Sequence, residues 1–396
     1  MKNTFLLSTL LITTLSIVGC QHYAKSTQTD AVSSTCHFND VNFDTQFPAA
    51  RLDKCEQTGK NRYKLTLQPE NMPINDSPWY AFSVSGKFSH TIHIDMHVEG
   101  GSNRYHPKIR VDQESKQSNW QKIPFKRHGE VMTFDLDINQ QPTLIAGQEI
   151  ITNDDYDNWY TALKNNGQLD IITLGQSVNK RPIKAIIQRH NAKQWLVVLG
   201  RQHPPEITGA LALFPFTETL LADTPQARHF LTQYNVLVIP NLNPDGVQLG
   251  NWRHNANGVD LNRDWKAFKQ PETLAVHQYL TQLVKEGHSI AYAVDFHSTR
   301  KDIFYTMPHT YPIKNPMLTT QWLEQLDLQM PSFQVIQKPG NNPNKGVFKQ
   351  YISDTYRVHA VTYEMGDNTN REKIKTIAHT AANTLMTTLL QTTEAP

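Results

Sequence analysis

Four short runs of nearly uninterrupted apolar residues, each ending in polar side chains, restrict this chain's fold more than any other feature. They are residues 194–200 (QWLVVLG), 235–240 (NVLVIP), 290–296 (IAYAVDF) and 360–364 (AVTYE). A strand with one wet face alternates apolar with polar, whereas a run apolar at every position is covered on both faces. Helical periodicity lies between the runs, at residues 208–222 and 271–286. Buried strands separated by helices predict an α/β domain over residues 152–396, with a mixed, mostly parallel sheet and helices on both faces.

The first half reads differently. Residues 63–67, 79–84, 91–98 and 132–136 are short alternating runs separated by Gly, Asn, Pro and Ser. That pattern predicts a smaller antiparallel β-sandwich over residues 36–151, placed before the α/β domain. Residues 1–19 have a lysine followed by a short apolar stretch ending in Val18-Gly19-Cys20, which resembles a bacterial lipoprotein signal peptide. The resemblance implies cleavage before Cys20 and a lipid on that cysteine. It places the protein in the bacterial cell envelope, membrane-anchored at the outer membrane and facing the periplasm, with residues 20–35 as a Ser-, Thr- and Gln-rich tether. Cys36 and Cys55 then remain as an even pair in an oxidising compartment, and a disulfide between them is expected. A net charge of +2 provides no electrostatic footprint for nucleic acid.

Active sites in open α/β sheets gather beyond the carboxyl ends of the strands. The first apolar run leads into His203-Pro204-Pro205-Glu206, where an imidazole and a carboxylate stand three residues apart. Such a pair suits zinc, and a third ligand must come from elsewhere to leave a position open for water. His297, in Asp295-Phe296-His297, leaves the sheet where that ligand is needed, and Asp295 is placed to orient an imidazole. Between these segments lies a long polar loop. It runs from Asn243-Pro244-Asp245-Gly246 through Gly250-Asn251-Trp252-Arg253 to Gly258-Val259-Asp260-Leu261-Asn262-Arg263. Long loops inside compact domains are usually functional, and arginines in one can clamp a carboxylate or meet a developing oxyanion.

These ordered motifs, with Glu364 at the end of the last run, resemble the M14 family of zinc carboxypeptidases. The Gly250-Asn251-Trp252-Arg253 element and the strand Trp79-Tyr80-Ala81-Phe82-Ser83-Val84 are similar to its cytosolic carboxypeptidase branch. The resemblance implies a Zn2+ cofactor held by His203, Glu206 and His297. Arg253 would polarise the scissile carbonyl, and Asn262 and Arg263 would hold the free C-terminal carboxylate of a peptide substrate. Glu364 would act as the base that takes a proton from zinc-bound water and hands it to the leaving amine. Pro205 stands where the family usually has glycine. Tyr351 and Tyr356 are both candidates for the family's substrate-binding tyrosine, a role the sequence leaves unassigned, and Arg300 and Lys345 are candidates for a cation that would meet an acidic terminal residue. Peptidoglycan stem peptides are one expected substrate. The alternative reading is a zinc-dependent deacylase of N-acyl amino acids, against which the Asn-Pro-Asp-Gly and Gly-Val-Asp-Leu-Asn-Arg runs argue.

Overall fold

The computed structural model describes residues 35–111, 120–166 and 169–394. The leader, Cys20 and the tether up to residue 34 lie outside the described residues. The first half is built from strands. These are β1 (Cys36–His37), β2 (Val41–Asp44), β3 (Lys54–Gly59), β4 (Arg62–Leu67), β5 (Ala81–Gly86) and β6 (His90–Val98). Then come β7 (Lys108–Arg110), β8 (Trp120–Lys122), β9 (Lys126–His128), β10 (Val131–Ile138) and β11 (Thr143–Ala146).

They form two sheets, ordered β1-β2-β5-β11-β7-β8 and β3-β4-β6-β10-β9. Period-two burial decides which residues face inward. In the β6/β10 pair, Ile94 opposes Phe134 and Met96 opposes Met132, all buried, while His93 and Asp135 oppose each other on the outer face. Phe43 of the first sheet and Tyr63 of the second meet with ring centroids 5.3 Å apart, closing the core between the sheets. One pairing departs from the antiparallel expectation: β4 and β6 run parallel. The chain between them passes through β5 in the opposite sheet, so it returns in its original direction. The disulfide Cys36–Cys55 joins β1 to β3, the edge strands of the two sheets.

The second half alternates helices with strands. In chain order these are α1 (Asn153–Asn166), β12 (Asp170–Gln176), β13 (Pro182–Gln188), β14 (Gln194–Gly200), α2 (Ile207–Leu220), α3 (Pro225–Gln233) and β15 (Tyr234–Ile239). They continue as α4 (Pro244–Leu249), α5 (Pro271–Lys285), β16 (Ser289–Thr299), β17 (Ile303–Thr306) and α6 (Leu318–Gln329). The last are β18 (Gln337–Pro339), α7 (Phe348–Tyr356), β19 (His359–Gly366) and α8 (Arg371–Glu394). The eight-stranded sheet has the order β12-β13-β15-β14-β16-β19-β17-β18. Its centre, β15-β14-β16-β19, is parallel throughout and coincides with the four apolar runs. Alternate residues feed opposite faces. Leu196 and Val198 join the core under α2, α3, α6 and α8, and Trp195, Val197 and Leu199 join that under α5 and α7. The first of these cores is continuous with the interior of the β-sandwich. Among the described residues no helix is long and apolar enough to cross a membrane.

The disulfide closes a loop of 19 residues between two edge strands. Constraining the unfolded chain over such a loop contributes about 3 kcal/mol. Replacing Cys36 and Cys55 together by alanine should lower stability by about that amount, measured as the unfolding free energy extrapolated to zero denaturant with m fitted separately for each protein.

Candidate metal centre and active-site cleft

β14 ends at Gly200, and the chain turns sharply through Arg201, whose φ of 51° lies in the left-handed region. A non-glycine residue stays there only when its surroundings hold it. Here the buried guanidinium does so, donating to the carbonyl of Pro204 at 2.7 Å and to the Tyr156 hydroxyl at 3.1 Å. The turn delivers His203, and Glu206 then stands immediately before α2, its side chain turned to the histidines and making no bond to the helix amides. α2 in turn lies almost on the carbonyl of His297 in β16. A Cβ at Gly209 would come within 2.6 Å of that oxygen, so only glycine allows the approach.

Two motifs far apart in sequence meet as a result. His203 Nδ1 is 2.9 Å from Glu206 Oε1, and His297 Nδ1 is 2.7 Å from Glu206 Oε2. One donor atom from each residue lies within 4.8 Å of the others, and all three residues are buried. The far nitrogen of each imidazole is also held by a carboxylate. His203 Nε2 is 2.9 Å from Asp260, and His297 Nε2 is 2.8 Å from Asp295. Asp295 in turn accepts from Gln202, whose carbonyl accepts from the Trp265 indole. Two imidazoles, each anchored from behind by a carboxylate, with a third carboxylate between them, are a donor set that fits zinc.

Charges here are far from their solution behaviour. Burial alone would raise the Glu206 pKa, but His203 and His297 hold it well below the usual carboxylate range. Burial alone would lower that of His297, but Asp295 and Glu206 raise it well above the ordinary imidazole value. Asp260 is kept well below its usual value, against the effect of burial, by His203 and Arg253. Glu364 goes the other way. It faces His297 in the β16/β19 register, and burial pushes its carboxyl up to about 7. Its Oε2 is buried and has no hydrogen-bond partner.

The polar loop is arranged around this cluster. Arg253 donates through Nε to Asp260 at 2.7 Å, and its Nη1 lies 4.0 Å from Glu206. Asp260 also caps the short 3-10 turn Leu261–Arg263, accepting from the amide of Asn262. Asn262 accepts from the amide of Phe348 and brings its Nδ2 to 3.3 Å from His297 Nε2. Arg263 is exposed to the cleft. Gly346, at a φ of 60°, packs its backbone on the Arg263 peptide, where a Cβ would meet the carbonyl oxygen at 2.4 Å.

The cleft has a volume of about 890 Å³, and its wall contains all seven residues singled out by the motifs. Arg300 and Lys345 line it as well. The two candidate tyrosines do not. Tyr351 and Tyr356 are hydrogen-bonded to each other, and Tyr351 stacks on Trp265 within the core beneath α7. Their apolar periodicity within α7 decides this, and the tyrosine that lines the cleft is Tyr305 of β17.

Three further participants carry no local sequence signal. Lys349, almost fully buried, donates to the carbonyls of Thr306 and Gly340, and burial lowers its ammonium to about 8. Arg104 reaches in from the first half to form a two-pronged pair with Asp367 (2.8 and 3.1 Å) and a hydrogen bond to the Ser298 carbonyl. Glu70, also from the first half, accepts from three amides of the Arg253 loop. Of these positioning partners only Asp295 is visible as a motif; Asp260 lies within one but its contact with His203 spans 57 residues.

Residues 156–388 match the Peptidase_M14 family, described as zinc carboxypeptidase. Among curated proteins the chain is similar to mouse cytosolic carboxypeptidase 6, at 24% identity over 289 residues. That match takes in 65% of this chain and 53% of the mouse protein, so the chain spans about half the relative's length. Among solved structures it is similar to a metallo-carboxypeptidase from Burkholderia cenocepacia, with a TM-score of 0.76 and 19% identity over 89% of this chain and 99% of that one. It is also similar to a metallo-carboxypeptidase from Pseudomonas aeruginosa solved in complex with (2-guanidinoethylmercapto)succinic acid. There the TM-score is 0.72 and the identity 20%, over 87% of this chain and 98% of that one. At such identities the structural likeness speaks for the fold, while the family match spans more than half of the chain and contains the whole His203, Glu206 and His297 cluster. The chain therefore belongs to the M14 family of zinc carboxypeptidases.

Proposed function

We propose that this protein is a zinc metallocarboxypeptidase that removes C-terminal residues from peptides, with His203, Glu206 and His297 as the metal ligands. The observation that carries the reading is the meeting, in one cleft, of that donor cluster with an exposed arginine and with Glu364, whose Oε2 is buried without a hydrogen-bond partner. A bound zinc ion supplies Lewis acidity and makes water a stronger acid. Everything else falls to the chain's own residues. Arg263 and the amide of Asn262 take the terminal carboxylate and so set which peptide bond lies over the metal ligands. Arg253, held rigid by Asp260, offers its remaining N–H groups to the oxygen that gains charge as the carbonyl is attacked. Glu364 takes the proton from the attacking water and passes it to the departing amine, a role that suits a carboxyl poised near 7.

The wall of the cleft favours acidic peptide ends. Arg104, Arg253, Arg263, Arg300, Lys301, Lys338, Lys345 and Lys349 face only Asp76, Glu206 and Glu364. Lys349 is the most enclosed of these cations. An envelope lipoprotein anchored through Cys20 would meet peptidoglycan stem peptides and periplasmic peptides, both of which have free carboxylates. The test is mass spectrometry of a panel of N-acetylated tetrapeptides differing in the last residue, together with muropeptides and N-acyl amino acids. Loss of one C-terminal residue, fastest for glutamate or aspartate, is expected. Turnover of the N-acyl amino acids alone would establish the deacylase instead.

Glu364→Gln should retain zinc and lower kcat by about 10²- to 10⁴-fold. Because the base must be ionised, wild-type kcat/KM should fall as the pH drops below about 7, with a bound dication moving that limb further to the acid side. The residual activity of Glu364→Gln should lack the limb. Arg263→Ala removes a charge-assisted contact that contributes about 2–3 kcal/mol. KM for peptides should rise roughly 30- to 150-fold at unchanged zinc content, read from initial rates and metal analysis.

A further inference from the structure

The loop that presents Arg253 has irregular backbone from residue 251 to 260; the amides of Gly250 and Asn251 bond back to α4, whereas those of residues 252–254 lie beyond the reach of its carbonyls. Three successive amides in it point at a single side chain from the other half of the protein. Glu70, just beyond the end of β4, accepts from Arg253 (2.9 Å) and His254 (2.7 Å) at Oε1 and from Trp252 (2.8 Å) at Oε2. Its side chain has no solvent-accessible surface. Consecutive N–H groups converging on one anion make a nest, and here the anion belongs to the protein itself. Asn71 holds the far end of the same loop, with Oδ1 2.8 Å from His254 Nδ1 and Nδ2 donating to the Gly258 carbonyl at 3.0 Å.

Fixing the Arg253 peptide matters because its side chain is aimed from there. The guanidinium is held at its root by these amide bonds and further out by Asp260. We propose that Glu70 is a positioning residue for the reaction: its carboxylate sets the peptide from which Arg253 reaches the reacting carbonyl. The inference rests on the role given to Arg253 above. Glu70 itself does not line the cleft and is separated from substrate by the loop. A buttress of general stability would affect melting, zinc content, KM and kcat together. A residue acting through Arg253 should affect kcat alone, since the bonds of Glu70 go to the amides of residues 252–254 and not to Asn262, Arg263 or the proposed metal ligands.

The experiment is a double-mutant cycle of Glu70→Gln and Arg253→Ala in the full zinc-loaded chain, using the fastest-cleaved peptide of the panel. Kcat, KM, zinc content and Tm are read for all four proteins. Glu70→Gln keeps the shape but sets an N–H donor against the loop amides. A misplacement of about 1 Å can cost 10²-fold, so a fall in kcat of about 10- to 100-fold is expected, with KM and zinc content unchanged. In the Arg253→Ala background the same change should have no further effect on kcat. The proposal is overturned by an equal fall in both backgrounds, by wild-type kcat in Glu70→Gln, or by loss of zinc in parallel with kcat. Wild-type kcat in Arg253→Ala overturns the role of Arg253 first, and this inference with it. Should Glu70→Gln lack a cooperative melt, Glu70→Asp runs through the same cycle, since it retains the charge and withdraws it by one methylene.

Discussion

The carboxylate of Glu206, buried between two imidazoles, is the contact on which the rest of the structure depends. A carboxylate taken out of water is tolerated only when paired and hydrogen-bonded. Glu206 meets that demand through His203 and His297, and each of these histidines shifts the demand to another carboxylate behind it, Asp260 or Asp295. Glu364 and Asp367 add two more nearby acids, against which the cluster has the guanidinium groups of Arg253 and Arg104. Acidic groups outnumber fixed cations around a point where three donor atoms converge. Such a place selects a compact dication, because neutral imidazoles and one dication satisfy every acceptor at once.

Bringing these residues together is the work of the parallel sheet. The ends of β14, β16 and β19 deliver the His203 turn, His297 and Glu364 to one edge, and the β16/β19 register sets His297 beside Glu364. The sheet alone would leave Glu206 too far away. The missing distance is closed by Gly209, which lets α2 rest on the backbone of His297, and by Arg201, whose buried guanidinium keeps the preceding turn in a left-handed conformation. Geometry at the His203, Glu206 and His297 cluster is therefore set by backbone packing as much as by the side chains' own bonds.

That division explains what could be read from the chain. The four apolar runs became the four central strands to within a few residues, because burial on both faces leaves no freedom of composition. His203, Glu206, His297 and Glu364 lie in short motifs at strand ends and Arg253, Asn262 and Arg263 in the polar loop between them, and the structure gathers all seven in one cleft. The disulfide of Cys36 and Cys55 was legible only once Cys20 was assigned to the lipoprotein signal, since three cysteines otherwise leave one over. What was not legible depends on pairings across long stretches of chain. The parallel β4/β6 pair follows from a crossover through the opposite sheet, which alternation cannot reveal. Tyr351 and Tyr356 were plausible only as residue types; their packing under α7 is a property of the tertiary core. Arg104, Glu70 and Lys349 are ordinary charged residues until the fold closes around them.

The first half of the chain is accordingly more than an appended module. Its core runs into that beneath α2 and α8 as one contiguous cluster of buried side chains. Across this continuous interior it sends two charged side chains to the surroundings of the donor cluster. Arg104 ties Ser298 and Asp367, the strand ends that bear His297 and Glu364, while Glu70 grips the loop that bears Arg253. A buried charge without its partner is strongly unfavourable, so each of these contacts stabilises both sides jointly. The α/β half without the sandwich would retain its ligands in sequence but would expose an apolar face. It would also leave Asp367 and the amides of residues 252–254 without their partners. The site is thus a property of the interface between the halves, although the residues that would carry out the chemistry lie in the second half alone.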